Sequence, residues 1–313
     1  MKILVTGGAG FIGSHVADAY IAAGHTVAII DNFSTGNEDN VNPSARLFRV
    51  DVRDRKGVED AIASFKPDVV NHHAAQAEVP KSVADPGTDA HINIVGGLNL
   101  LKASVDAGVK KFIFISTGGA LYGEPDVVPA DEDHPVRPLS PYGTAKYCFE
   151  QYLGTFNRTF ALNYTVLRYA NVYGARQDFQ SEEGRVVAIF ASRMLEGRPV
   201  TIDGDGDQSR DMVHVGDCAT ANLAALERGD GGTYHVSTAT LVTVNDLSRK
   251  LALLTGYRME PERGPGRRGD VYRISLDNTR ARKELAWEPR ITLEEGLSLT
   301  VDYFRERVSS VND

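Results

Sequence analysis

Six short runs rich in β-branched and aromatic residues punctuate the first half of the chain: KILVT (2–6), TVAII (26–30), RLFRV (46–50), DVVNHHA (68–74), KFIFIS (111–116) and YTVLRYA (164–170). Between them lie longer stretches, 13–23, 54–65, 89–108 and 142–161, whose apolar positions recur at helical spacing. This alternation predicts an α/β fold, a doubly wound parallel sheet with helices on both faces. The strands lack polar alternation, as a sheet buried on both sides requires. Gly24 and Gly108 stop two of the helices. Beyond about Gly174 the texture changes. Gly, Asp and Arg become dense in 174–185, 203–211 and 262–270, around shorter periodic segments at 186–196, 216–228, 245–256 and 293–308. Loops of that kind line a site more often than they hold a core. The expected division is 1–174 for a first domain and 175–313 for a smaller C-terminal α/β substrate-binding domain, with some segments returning to the first.

Composition narrows the function classes. With 313 residues, 42% hydrophobic and 24% charged, the chain can bury a full core. A formal charge of −8 gives no global field for a long polyanion, so a nucleic-acid partner is disfavoured. Cys148 and Cys218 are too few for a disulfide framework or a zinc site, and a reducing, cytoplasmic compartment is expected. The apolar N-terminus is interrupted by Gly7, Gly8, Gly10 and Gly13, unlike a signal-peptide core, and no run reaches membrane-spanning length.

Those glycines carry the first chemical signal. Gly7, Gly10 and Gly13 follow the first strand and open the first helix, allowing a tight turn, close approach of a pyrophosphate and close helix–strand packing. The second strand ends in Asp31, eighteen residues after Gly13, where a carboxylate can accept hydrogen bonds from a ribose diol. Strand, glycines, helix, strand and acid in that order predict a Rossmann-type, dinucleotide-binding domain; an ordinary turn and a helix-capping aspartate are the plainer alternatives. Asn32 and Phe33 follow with no arginine to meet a 2′-phosphate, which favours NAD over NADP. His72 and His73 end a buried strand, point to opposite faces and have no third ligand in reach, so no metal is expected.

The second signal is Tyr142 and Lys146, four apart at the start of a predicted helix and hence on one face. An ammonium beside a phenol stabilises the phenolate, and the expectation is a tyrosine made basic enough to accept a proton. The alternative is a solvated surface pair. Arginines are concentrated in the later loops, Arg168, Arg176, Arg185, Arg210, Arg267 and Arg268, and planar guanidinium groups suit phosphate oxygens.

The glycine spacing GxxGxxG, with DNFSTG (31–36), DVRD (51–54), HHAAQAEVPKSV (72–83), NIVGGLNLL (93–101), SPYGTAK (140–146), LRYANVYG (167–174) and GDGDQSRDMVHVGD (204–217), resembles the extended short-chain dehydrogenase/reductases. Within that NAD-dependent epimerase/dehydratase family the likeness is to the UDP-glucose 4-epimerase branch, and it covers most of the chain. The resemblance implies a cofactor site of Gly7, Gly10, Phe11, Ile12, Gly13, Asp31, Asn32, Phe33, Ser34, Thr35, Gly36, Asp51, Val52, Ala74, Ala75, Gln76, Asn93, Tyr142, Lys146 and Ala170. It makes Tyr142 the base for a sugar hydroxyl, with Lys146 also holding the nicotinamide ribose.

The third member of such a site is a hydroxyl after KFIFIS. Counting back from Tyr122 and Gly123 puts Gly118 where many relatives carry it, so Thr117 is taken as the catalytic hydroxyl, with Ser116 as the fallback and mere strand termination as the plain alternative. Related dehydratases carry an Asp-Glu pair here, and decarboxylases a glutamate; Gly118 and Gly119 stand instead, and 4-epimerisation is what the missing acids leave. The resemblance also implies substrate contacts from Thr117, Tyr142, Asn171, Thr201, Arg210, Arg267 and Asp270, with Ile274 near the position limiting the C2 substituent. Asp203 stands where some relatives stack an aromatic on the base.

The implied activity is an NAD-dependent UDP-sugar 4-epimerase, an isomerase of galactose metabolism interconverting UDP-glucose and UDP-galactose through a 4-keto intermediate. The alternatives are a UDP-N-acetylhexosamine or UDP-uronate 4-epimerase and, from another class, a non-catalytic NAD-binding redox sensor. The resemblance further implies a homodimer through helices 89–108 and 142–161.

Overall fold

The computed structural model describes residues 1–179, 186–266 and 271–312. All six expected strands form: β1 (Lys2–Thr6), β2 (Thr26–Asp31), β3 (Arg46–Arg49), β4 (Val69–His72), β5 (Lys111–Thr117) and β6 (Asn163–Tyr169), joined by β7 (Gly232–Val236). They make one parallel seven-stranded sheet in the order β3-β2-β1-β4-β5-β6-β7. This is the Rossmann order, whose direction reverses between β1 and β4 and so opens a crevice above the strand ends.

The helices are α1 (Phe11–Ala22), α2 (Arg55–Phe65), α3 (Gly97–Asp106), α4 (Pro141–Phe160), α5 (Val186–Leu195), α6 (Val215–Glu227), α7 (Val244–Thr255) and α8 (Leu293–Asn312). Successive strand residues feed opposite cores. Ile3, Val5 and Ile29 pack with Val16 and Tyr20 of α1 and Ala221 of α6. Leu4, Ala28 and Ile30 pack with Ile62 of α2, Leu100 of α3 and Phe149 of α4.

Two elements differ from the expectation. The stretch 89–108 is not one helix but a short helix Pro86–Ala90, a π-helical turn His91–Gly96 and then α3. Gly96 and Gly97 sit at the join because a side chain on either would strike Val52 or Phe149. The strand β7 follows Gly229 and Gly231 and itself begins at Gly232, a composition typical of a loop; its place is fixed by parallel pairing with β6.

In the second half, Val187, Ala191, Leu247, Leu251, Leu297 and Phe304 of α5, α7 and α8 share a separate core. Short strands surround it: Thr201–Asp203 pairs with Glu262–Gly264, and Ser209–Arg210 lies between Val242–Thr243 and Arg273–Ile274. Among the described residues no helix is long and apolar enough to cross a membrane.

Candidate active site

The glycine loop forms a cradle whose volume depends on absent side chains. Gly7 has φ +67°, and a Cβ there would lie 2.7 Å from the Ala74 nitrogen; one on Gly13 would collide with the Gly7 carbonyl. Gly10 caps α1 without a side-chain hydrogen bond, and the first turn holds no acidic residue. The free N–H groups of that turn therefore remain for an anion. Asp31, buried at the end of β2, accepts from the Ala9 nitrogen at 2.9 Å and from the Phe33 nitrogen at 2.8 Å. Each oxygen has a further lone pair for a ribose hydroxyl. These residues fit a dinucleotide.

The remaining predicted cofactor residues lie just beyond the C-terminal ends of β1, β2, β3, β4 and β6, apart from Asn93, Tyr142 and Lys146. Asn32 donates to Asp51 at 2.7 Å, and Asp51 is held well below the usual carboxylate range by its hydrogen bonds from Arg53. The Asn32 oxygen accepts from the Ser34 nitrogen at 3.0 Å, and Thr35 and Gly36 continue that turn, with Gly36 against Ala9 and Asp31. Arg49 stacks on Phe33 at 4.5 Å and pairs with Glu38, so an arginine does approach this end, supplied by β3 and already engaged. Phe11 and Ile12 open α1, and Val52 packs on Gly96. Beyond β4, Ala74 donates to Thr6 at 3.2 Å, Ala75 follows, and Gln76 exchanges hydrogen bonds with Asn93 at 3.0 and 2.9 Å. Ala170 is tied to β7 through the Val236 carbonyl at 3.0 Å.

His72 contacts the Thr6 hydroxyl at 2.7 Å, while both ring nitrogens of the neighbouring His73 are buried without a partner. Burial, reinforced by the Lys146 charge, pushes His73 down to about 3, so its ring is neutral.

The reacting end assembles where β5 meets α4. Ser140 caps α4 by accepting from the Gly143 nitrogen at 3.2 Å, which places Tyr142 in the first turn and Lys146 one turn on. Lys146 is buried, donates to the Ile115 carbonyl at 2.8 Å and lies 5.9 Å from the Tyr142 ring. Burial lowers it to about 8 against the opposing pull of Asp89 and Glu150. Tyr142 departs from the expectation: burial, with Asp89 adding to it, raises its phenol, and the Thr117 hydroxyl opposes this. Partial burial disfavours the phenolate, and the Lys146 ammonium is turned toward a carbonyl.

The two candidate hydroxyls have different fates. Thr117 interacts with Tyr142, and a Cβ on Gly119 would lie 4.0 Å from its hydroxyl and 3.5 Å from the Asn171 oxygen, so all three border one space. Ser116 instead donates to Glu150 at 2.6 Å, below the sheet ends, and the fallback assignment is unsupported. A Cβ on Gly118 would meet the Leu276 side chain, which would have to shift to admit one. The positions that hold acids in related dehydratases are therefore a covered backbone and an open glycine.

Arg168 leaves the expected phosphate group. It is buried, donates to Glu150 at 3.0 and 2.6 Å and to the Tyr122 hydroxyl at 2.7 Å, and Tyr122 in turn meets His235 at 2.6 Å. Arg176 pairs with Asp18 at 2.7 Å. Arg210 points one amino group at the Ser209 carbonyl, 3.0 Å away, at the rim of the second half, and Thr201 lies on a short strand nearby in the chain. Ile274 is buried with Leu121, Tyr122 and Leu276. Arg185, Arg267, Arg268 and Asp270 lie outside the described residues.

The sequence motifs do not single out Glu150, although its spacing gives a signal: Tyr142, Lys146 and Glu150 recur every fourth position on one helix face. Asp89, four before Asn93, carries the same kind of signal and is likewise passed over by the motifs.

Residues 3–237 match the family described as the NAD dependent epimerase/dehydratase family. A UDP-glucose 4-epimerase from Thermotoga maritima, solved with UDP-glucose, superposes with a TM-score of 0.97 at 51% identity, covering 98% of this chain and 100% of that one. The UDP-glucose 4-epimerase of Thermus thermophilus, solved with NAD, gives a TM-score of 0.92 at 46% identity over 97% of this chain and 99% of that one. In sequence, the UDP-glucose 4-epimerase of Mycolicibacterium smegmatis is 41% identical over 313 residues, 98% of this chain and 99% of the relative.

Proposed function

The chain belongs to the NAD dependent epimerase/dehydratase family, and we propose that it interconverts UDP-glucose and UDP-galactose by NAD-dependent 4-epimerisation. The observation that carries this reading is the convergence of Thr117, Tyr142 and Lys146 beside Gly118 and Gly119: a base, a hydroxyl and a cation, with glycines in place of an acid pair next to the threonine.

When bound, NAD supplies a hydride acceptor and donor, and a positive ring charge that favours the phenolate. Gly7, Gly10, Gly13, Asp31, Gln76 and Asn93 would hold it. Tyr142 accepts the proton of the sugar's 4-hydroxyl and returns it to the epimeric oxygen. Thr117 hydrogen-bonds that oxygen in both settings, and Lys146 keeps positive charge beneath the phenol. Asn171, Arg210 and Arg267 take the diphosphate, Asp270 meets the ribose, and Thr201 meets the base.

We assign 1–174 to the cofactor and 175–313, with β7 returning to the sheet, to the nucleotide sugar. We also take the enzyme to be cytoplasmic and a homodimer; exposed Val95, Tyr152 and Phe160 on the two helical stretches support a second copy there. The test is incubation with UDP-galactose without added NAD, which yields UDP-glucose if cofactor remains bound and, if none appears, is repeated with NAD supplied. Absence of product in both settings refutes the assignment.

A further inference from the structure

Asp89 is a buried carboxylate that the mechanism above leaves unused. It is 1% exposed, on the short helix Pro86–Ala90, which packs against α4. One oxygen accepts from Gln76 Nε2 at 3.0 Å and from Asn93 Nδ2 at 2.9 Å. Its other oxygen, Oδ2, is buried with no hydrogen-bond partner. An unsatisfied buried carboxylate oxygen costs enough stability that its retention asks for a reason.

The charges around Lys146 supply one. From the end of β4 come His72 and, just beyond it, His73, both held neutral by burial; from β5, the Phe114 ring at 4.8 Å and the Ile115 carbonyl. Tyr142 and Glu150 face it from α4, and Asp89 acts on it from the short helix Pro86–Ala90. Glu150 is already neutralised by the two-point Arg168 ion pair. Asp89 is then the one uncompensated negative charge named around the buried ammonium.

We propose that Asp89 is a positioning residue for the reacting pair, a buried countercharge, fixed by Gln76 and Asn93, that keeps Lys146 protonated. The proposal rests on the epimerase reading for its activity readout. Because Asp89 also disfavours the Tyr142 phenolate, its charge holds both groups in their protonated forms.

Asp89→Asn removes the charge and keeps an acceptor oxygen for Gln76 and Asn93. Both limbs of the kcat/KM profile against pH are expected to move toward acid by about one pH unit, the size a lost neighbouring charge gives. A uniformly lower rate with both limbs in place would show a structural role and overturn the proposal. The phenolate's ultraviolet difference absorbance, read against Tyr142→Phe in the same background, is expected to titrate at lower pH in Asp89→Asn. That measurement needs no turnover, so an inactive wild type would sink the epimerase reading while this shift still decides the role of Asp89. If Asp89→Asn does not fold, Asp89→Ser takes its place; if no neutral variant folds, Asp89 belongs to the fold and the proposal fails.

Discussion

Two adjoining clusters at the end of β5 are built from the same kinds of group and do opposite things. Below, Ser116, Glu150, Arg168, Tyr122 and His235 form a chain in which each donor finds an acceptor at 2.6–3.0 Å. Above, Thr117, Tyr142 and Lys146 hold a hydroxyl, a phenol and a cation tied to a single carbonyl. Saturated polar groups in a dry site rigidify; those left one partner short stay available to a substrate. The contrast teaches that residue type did not separate scaffold from chemistry, since Ser116 and Thr117 are neighbours in the chain.

The contrast breaks first at Tyr142. Tyr142→Phe should lower kcat by about 10²–10⁴-fold, the range for losing a general base, with little change in melting temperature; retained turnover would move the chemistry elsewhere. Arg168→Met should do the reverse. It leaves Glu150 buried and unpaired, at a cost of about 3–5 kcal/mol in denaturant unfolding, while the folded fraction keeps its KM.

Finer tests separate the two hydroxyls. Thr117→Val keeps the shape and removes one hydrogen bond to the reacting oxygen, so kcat should fall by about 10–10²-fold. Ser116→Ala should cost about 1 kcal/mol of stability and leave steady-state kinetics within about twofold; a larger kinetic loss would erase the distinction. The mildest effect is that of pH. Lys146, lowered to about 8, loses its proton as pH rises through that value, so activity should decline on the alkaline side from about pH 8. An alkaline limb near the ordinary lysine value would mean the ammonium is solvated.

The sequence by itself determined the six strands named from their β-branched runs, the helices on both faces, the glycine cradle and the Tyr142–Lys146 pair. These are local signals: period, turn chemistry and spacing along one helix are properties of neighbouring residues. Only the tertiary structure decided the rest. It added β7 from a glycine-rich stretch, because pairing with β6 outweighed a loop-like composition. It withdrew Arg168 from the phosphate group by burying it against Glu150, and set Ser116 and Thr117 on opposite errands. It filled the space over Gly118 with Leu276, a residue 158 positions away in the chain. It also raised the Tyr142 phenol where adjacency to Lys146 suggested the opposite. Charge and solvation at a site depend on what distant segments bring to it, and no spacing rule along the chain encodes that.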